Sequence, residues 1–96
     1  MAIEQTIGPH RQSILALCRK YGASNVRIFG SVARGTADSD SDVDFLVDLE
    51  PGRSLFDLGG LLTDLQNLLG RQVDVITPDT LRPRIRDGVL REAVAL

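Results

Sequence analysis

The chain has 96 residues, length for one domain spanning 1–96 with no room for a second core. Its 43% hydrophobic and 25% charged residues are ordinary for a soluble globular protein, and a net charge of -2 points to no general nucleic-acid-binding surface, though it leaves room for a local basic patch, so direct DNA binding is not expected. A single cysteine, Cys18, excludes an internal disulfide; no apolar run nears a bilayer span of roughly 20 residues, and Met1 to His10 lacks a secretory signal, so a cytoplasmic protein without a membrane segment is expected.

In chain order, Pro9 stands where a first-turn proline belongs and Gly22 where a helix C-terminal cap belongs. Between them Ile14, Leu15, Leu17, Cys18 and Tyr21 recur at helical spacing and predict one packed face. Asn25–Phe29 reads as a short strand. Gly30–Asp42 is a loop rich in Gly, Ser, Thr and Asp, with a short helix over Ser31–Arg34, and connections of that length are often functional.

Val43–Leu49 alternates, with Val43, Phe45, Val47 and Leu49 on one face and Asp42, Asp44, Leu46 and Asp48 on the other. Ser54–Leu69 carries seven leucines at helical intervals, with Ser54 as N-cap, Asp57 favouring the positive end and Gly70 as the stop. Gly59 and Gly60 weaken this helix or let another backbone approach it. Gln72–Thr77 is a third strand, and Thr80–Leu96 reads as helix with a bend near Pro83 or Gly88. The expected fold class is α/β (α+β), a small mixed sheet of three or more strands flanked by helices in the order α-β-α-β-α-β-α.

Chemistry concentrates in Gly30-Ser31-Val32-Ala33-Arg34-Gly35 and Ser41-Asp42-Val43-Asp44. Gly30 after a strand lets the main chain take positive φ near a ligand, and Ser31 offers a hydroxyl and an N–H where a triphosphate fits. Arg34 suits either a phosphate or solvent. Asp42 and Asp44 lie two apart on one strand, so their carboxylates leave the same face roughly 6–7 Å apart at the backbone. That spacing suits a hard cation, against the alternative of an acidic solvent-facing edge. Asp74 sits inside the apolar run Gln72-Val73-Asp74-Val75-Ile76, and on a neighbouring strand it supplies a third carboxylate. Three clustered carboxylates repel unless a cation joins them.

These residues resemble the DNA polymerase β-type nucleotidyltransferase superfamily, whose signature is a Gly-Ser pair, an Asp-x-Asp some ten residues on, and a later carboxylate. Gly30-Ser31, Asp42-Val43-Asp44 and Asp74 supply the three parts. The fuller string to Val47, with Val73-Asp74-Val75-Ile76-Thr77-Pro78 and Leu81-Arg82-Pro83-Arg84-Ile85, resembles the minimal nucleotidyltransferase (MNT) branch. The resemblance implies a nucleotidyltransferase fold and Mg²⁺-dependent use of a nucleotide, with two ions held by Asp42, Asp44 and Asp74 and phosphates gripped by Gly30 and Ser31. It implies that Asp44 and Asp74 lie nearest the incoming hydroxyl. MNT proteins are commonly antitoxins of HEPN-type ribonuclease toxins, so it further implies transfer of AMP from ATP to a toxin tyrosine, in an assembly with that partner.

Two alternatives stand beside this reading. One is an antitoxin that masks its toxin without catalysis. The other is a subunit acting on a small molecule or RNA whose acceptor-binding domain is a separate chain. Of the remaining residues, Asp38 and Asp40 suit a solvated loop, Asp48 is peripheral, Tyr21 and Cys18 belong to the core, and His10 has no zinc partner. Arg82, Arg84, Arg86 and Arg91 alternate with Leu81, Ile85, Val89 and Leu90 in an amphipathic helix whose basic face also suits a protein interface.

Overall fold

The computed structural model describes residues 7–36 and 41–96. A 3₁₀ turn, Gly8–His10, leads into helix α1, Arg11–Lys20. Strand β1, Ala23–Phe29, is followed at once by the one-turn helix α2, Gly30–Arg34. Strand β2, Val43–Leu49, helix α3, Leu55–Leu69, and strand β3, Val73–Ile76, come next. A 3₁₀ turn at Pro78–Thr80 precedes helix α4, Pro83–Glu92, and strand β4, Val94–Ala95.

The sheet order is β3-β2-β1-β4. β1 runs antiparallel to both β2 and β4, while β2 and β3 run parallel. Parallel neighbours need a crossover, which α3 provides. The sheet is therefore mixed, as expected. Helix α3 starts on a full capping box: the Phe56 N–H donates to Ser54 Oγ (3.2 Å) and the Ser54 N–H donates to Asp57 Oδ2 (2.9 Å). Gly70 closes it in the left-handed region at φ 66°.

One sheet face carries the core. Val26 and Ile28 of β1, Val43, Phe45 and Val47 of β2 and Val73 of β3 pack with Ile14 and Cys18 of α1 and Leu61 and Leu65 of α3. The period-two expectation for Val43–Leu49 thus holds on its apolar side. On the opposite face Leu46 is also fully buried, outside that cluster. Among the described residues no helix is long and apolar enough to cross a membrane.

Three sequence expectations are corrected. The first strand starts two residues early, at Ala23, and carries a bulge where Asn25 takes φ 49°, a conformation asparagine tolerates. At Gly60 it is the Tyr21 ring, not a backbone, that comes close: a β-carbon there would lie 2.6 Å from the ring edge. The tail is not one helix from Thr80. Pro83 opens α4 at its first turn, where the missing N–H costs nothing, and the helix is continuous through Gly88. It then turns extended at Ala93 and adds β4 to the sheet.

Candidate active site

The site starts at the end of β1. Phe29 is extended, and Gly30 then takes φ 75° to start α2 against the sheet. Phe29 is the cross-strand partner of Asp44, so the Asp44 carboxylate reaches over the next residue along. A β-carbon at Gly30 would collide with that carboxylate. Glycine is thus required twice, for the left-handed φ and for the approach of Asp44. The fully buried Val32 plugs α2 into the core, and Gly35 at φ 75° ends it. Ser31 is left half-buried and Arg34 exposed at the surface.

Asp44 and Asp74 are in direct register on the parallel pair β2–β3. In-register residues of neighbouring strands share a face, with the strands about 4.8 Å apart. Asp42 precedes Val43, the first residue of β2. Asp44 is half-buried, whereas Asp42 and Asp74 are exposed. Burial raises the proton affinity of the Asp44 carboxyl above the ordinary range, the charges of Asp74 and Asp42 raise it further, and Arg34 opposes them. The charges of Asp42 and Asp74 thus both act on Asp44. Asp74 lies on a strand whose other residues are buried or half-buried, yet is itself exposed, because β3 is a sheet edge.

All the donors are hard carboxylate oxygens, which fit Mg²⁺. Among the described residues no group of three acidic, histidine or cysteine side chains is placed to hold a metal ion, Asp42, Asp44 and Asp74 included. Mg²⁺ does not need one, since it binds through one or two carboxylates and completes its shell with water and substrate oxygens.

Three contacts hold this end in place, none of them flagged by the sequence motif. Arg71, just past the α3 cap, donates from Nη2 to the Ser41 carbonyl (2.8 Å), and the Val43 N–H donates to the Gln72 carbonyl (3.0 Å). Together they fix the entry to β2, and so Asp42, beside β3. Arg34 pairs with Glu92 of α4 (3.2 Å), linking α2 to the tail. The only available signal for Arg71 was a cation directly after a helix-closing glycine, which is too common to single out.

Further along the same face Asp48 is tied to Arg27 (2.9 Å) and to the Asn25 amide (3.1 Å), a structural role that agrees with its peripheral reading. Cys18 is buried and its thiol is pushed up to about 11 by desolvation, which suits core packing and not a nucleophile. Tyr21 packs beside the core and donates from its hydroxyl to Asp64 Oδ2 (2.6 Å). Asp38 and Asp40 lie outside the described residues. A cleft of about 590 Å³ lies at the opposite, C-terminal ends of β2 and β3, lined by Asp48, Leu58, Pro78 and Asp79 among others. The candidate site is a different place, the Asp44–Asp74 rung beside Gly30 at the other end of these strands.

A mixed sheet with a glycine-serine turn beside Asp44 and Asp74 is the arrangement expected of a nucleotidyltransferase. The nucleotidyltransferase domain family matches residues 10–96. Protein adenylyltransferase MntA of Thermococcus cleftensis is 39% identical over 92 residues, covering 96% of this chain and 90% of that protein. A solved structure described as a "putative minimal nucleotidyltransferase" superposes with a TM-score of 0.88 at 48% identity, over 100% of this chain and 97% of that one. A toxin–antitoxin structure with AMP-PNP shares the fold at a TM-score of 0.75 and 21% identity, over 88% of this chain and 69% of that one. The chain belongs to the nucleotidyltransferase domain family, in its minimal, MntA-like branch, and is a nucleotidyltransferase enzyme.

Proposed function

We propose that the chain transfers AMP from ATP to a tyrosine of a HEPN-type ribonuclease toxin, and so acts as its antitoxin. The observation that carries the transfer chemistry is the Asp44–Asp74 rung beside Gly30, whose hydrogen side chain leaves room for the carboxylate. Support for the adenylyl group and a protein acceptor comes from the relative named protein adenylyltransferase MntA, and for a nucleotide in such a fold from the AMP-PNP complex. The cytoplasm, where a lone unpaired thiol is at home, is the proposed compartment.

In this reading Asp42, Asp44 and Asp74 hold Mg²⁺, two ions being the expected number, and the Gly30–Ser31 backbone with Arg34 binds the triphosphate. The metal supplies charge neutralisation at the phosphates and lowers the cost of the leaving pyrophosphate. The acceptor hydroxyl oxygen bonds to the α-phosphorus as the bond to pyrophosphate breaks. Asp44 and Asp74 face that hydroxyl, and one of them takes its proton. The modified toxin gains a phosphodiester charge and the bulk of a nucleoside where its tyrosine had a neutral hydroxyl.

The test is to incubate the purified chain, the toxin and ATP with Mg²⁺ and weigh the toxin. A gain of one AMP, lost in Asp44→Asn, is expected. An unchanged toxin mass would refute the reading. A masking antitoxin is the second reading, favoured by the exposed apolar side chains of α3 and α4, and Asp44→Ala that still protects cells would support it.

A further inference from the structure

Leu55 and Phe56 are the two most exposed large apolar residues described, at 81% and 92%. They are the first two residues of α3, and so sit in the turn that the capping box fixes. Arg53 tightens it further, pairing with Glu50 (2.7 Å) and with Asp57 (3.2 Å). Two apolar side chains are thus held out in water on rigid backbone, where ordering them on contact costs little. The about 590 Å³ cleft opens beside them, Leu55 forming part of its wall with Leu58 and Pro78. Its two carboxylates differ. Asp48 is neutralised by Arg27, whereas Asp79 is exposed and makes no described hydrogen bond or ion pair. An apolar platform with one uncompensated negative charge at its edge complements an apolar side chain next to a cation.

The location is as informative as the chemistry. Asp48 lies four residues beyond Asp44 on β2, roughly 13 Å along the strand. An occupant of the cleft therefore leaves the carboxylate end open, and a protein seated there can still present a side chain to the carboxylates. We propose that Leu55, Phe56 and the cleft edged by Asp79 form a docking site for the acceptor protein, taking a segment with an aromatic or branched aliphatic side chain beside a lysine or arginine. The assignment of a protein acceptor rests on the function proposed above. Docking at this distance raises the local concentration of the acceptor hydroxyl at the carboxylates without adding a group to the reaction.

The experiment measures steady-state transfer of AMP to the toxin for the wild type, Phe56→Ser, Leu55→Ser and Asp79→Lys, alongside ATP affinity by calorimetry and oligomeric state by sedimentation. All three positions are exposed, and a thermal melt for each variant checks that the fold is kept. Each serine variant is expected to raise the KM for the toxin about tenfold with kcat and ATP affinity unchanged. Asp79→Lys is expected to raise it a few-fold, with a flatter salt dependence. Folded variants with wild-type KM would overturn the docking site while leaving the transferase reading intact. Absence of transfer by the wild type would instead strike that reading. A wild-type chain that self-associates through Phe56, with variants that become monomers and keep their KM, would assign the surface to a second copy and also overturn the proposal.

Discussion

Asp44 and Asp74 stand on the same rung of the parallel β2–β3 ladder, so two acidic groups 30 positions apart in the chain are placed as strand neighbours by backbone hydrogen bonding. Burial first, and the charges of Asp74 and Asp42 after it, raise the proton affinity of Asp44, so its ionised form opposes folding when no cation is bound. Asp44→Asn is therefore expected to melt at or above the wild-type temperature in chelator. On the proposed function, Mg²⁺ is expected to raise the melting temperature of the wild type and not that of the variant. Scanning calorimetry with and without Mg²⁺ checks both, and transfer activity should fall at least about a hundredfold.

Gly30→Ala places a methyl against the Asp44 carboxylate in a backbone conformation that alanine avoids. The left-handed φ alone costs about 1–2 kcal/mol. Urea denaturation should show a loss of at least that size. Adding Asp44→Gly to Gly30→Ala should recover the part due to collision but none of the activity, a non-additivity read from the double-mutant cycle.

Tyr21→Phe removes the hydroxyl that donates to Asp64 while leaving the ring over Gly60. A loss of about 0.5–1.5 kcal/mol is expected for one partly buried hydrogen bond, with transfer unaffected. Gly60→Val drives a side chain into the same ring and should cost more, on the order of 1–3 kcal/mol for overpacking. Chemical denaturation of both variants checks the order.

The Cys18 thiol loses its proton at about 11 in the folded chain, against an ordinary value of 9.0. Between those two values the unfolded chain releases a proton that the folded chain retains, so unfolding gains as pH rises. The contribution is fully present below pH 9, fades through pH 11, and amounts to about 2–3 kcal/mol. Unfolding free energy measured from pH 8 to 11 should decline less steeply in Cys18→Ala than in the wild type. At pH 8 the folded wild type should react with iodoacetamide far more slowly than the denatured chain.

Much of the fold was legible because its signals are local. Alternation along Val43–Leu49 gave the strand and put Asp44 on the face away from Phe45, and Ser54, Asp57 and Gly70 gave both ends of α3. What was not legible depends on partners distant in sequence. The direction of β2 against β3, and hence the Asp44–Asp74 rung, follows from the crossover of α3 and not from any residue in either strand. Strand β4 is two residues long and exists through its pairing with Arg27 and Ile28, so Val94 and Ala95 alone carry no strand pattern. The clamp from Arg71 to the Ser41 carbonyl is likewise a contact between segments. The pairing of Asp44 with Asp74 needs the neighbouring strand, and the collision that makes Gly30 necessary appears only once Phe29 and Asp44 are paired across the sheet.

Asp44 belongs to a strand flanked on both sides, by β1 and by β3. Interior strands are the last part of a sheet to open and edge strands the first, so the Asp44–Asp74 rung joins a durable strand to a four-residue edge, β3. Warming should therefore loosen Asp74 before the domain as a whole gives way, and the inactivation curve should run ahead of the loss of ellipticity.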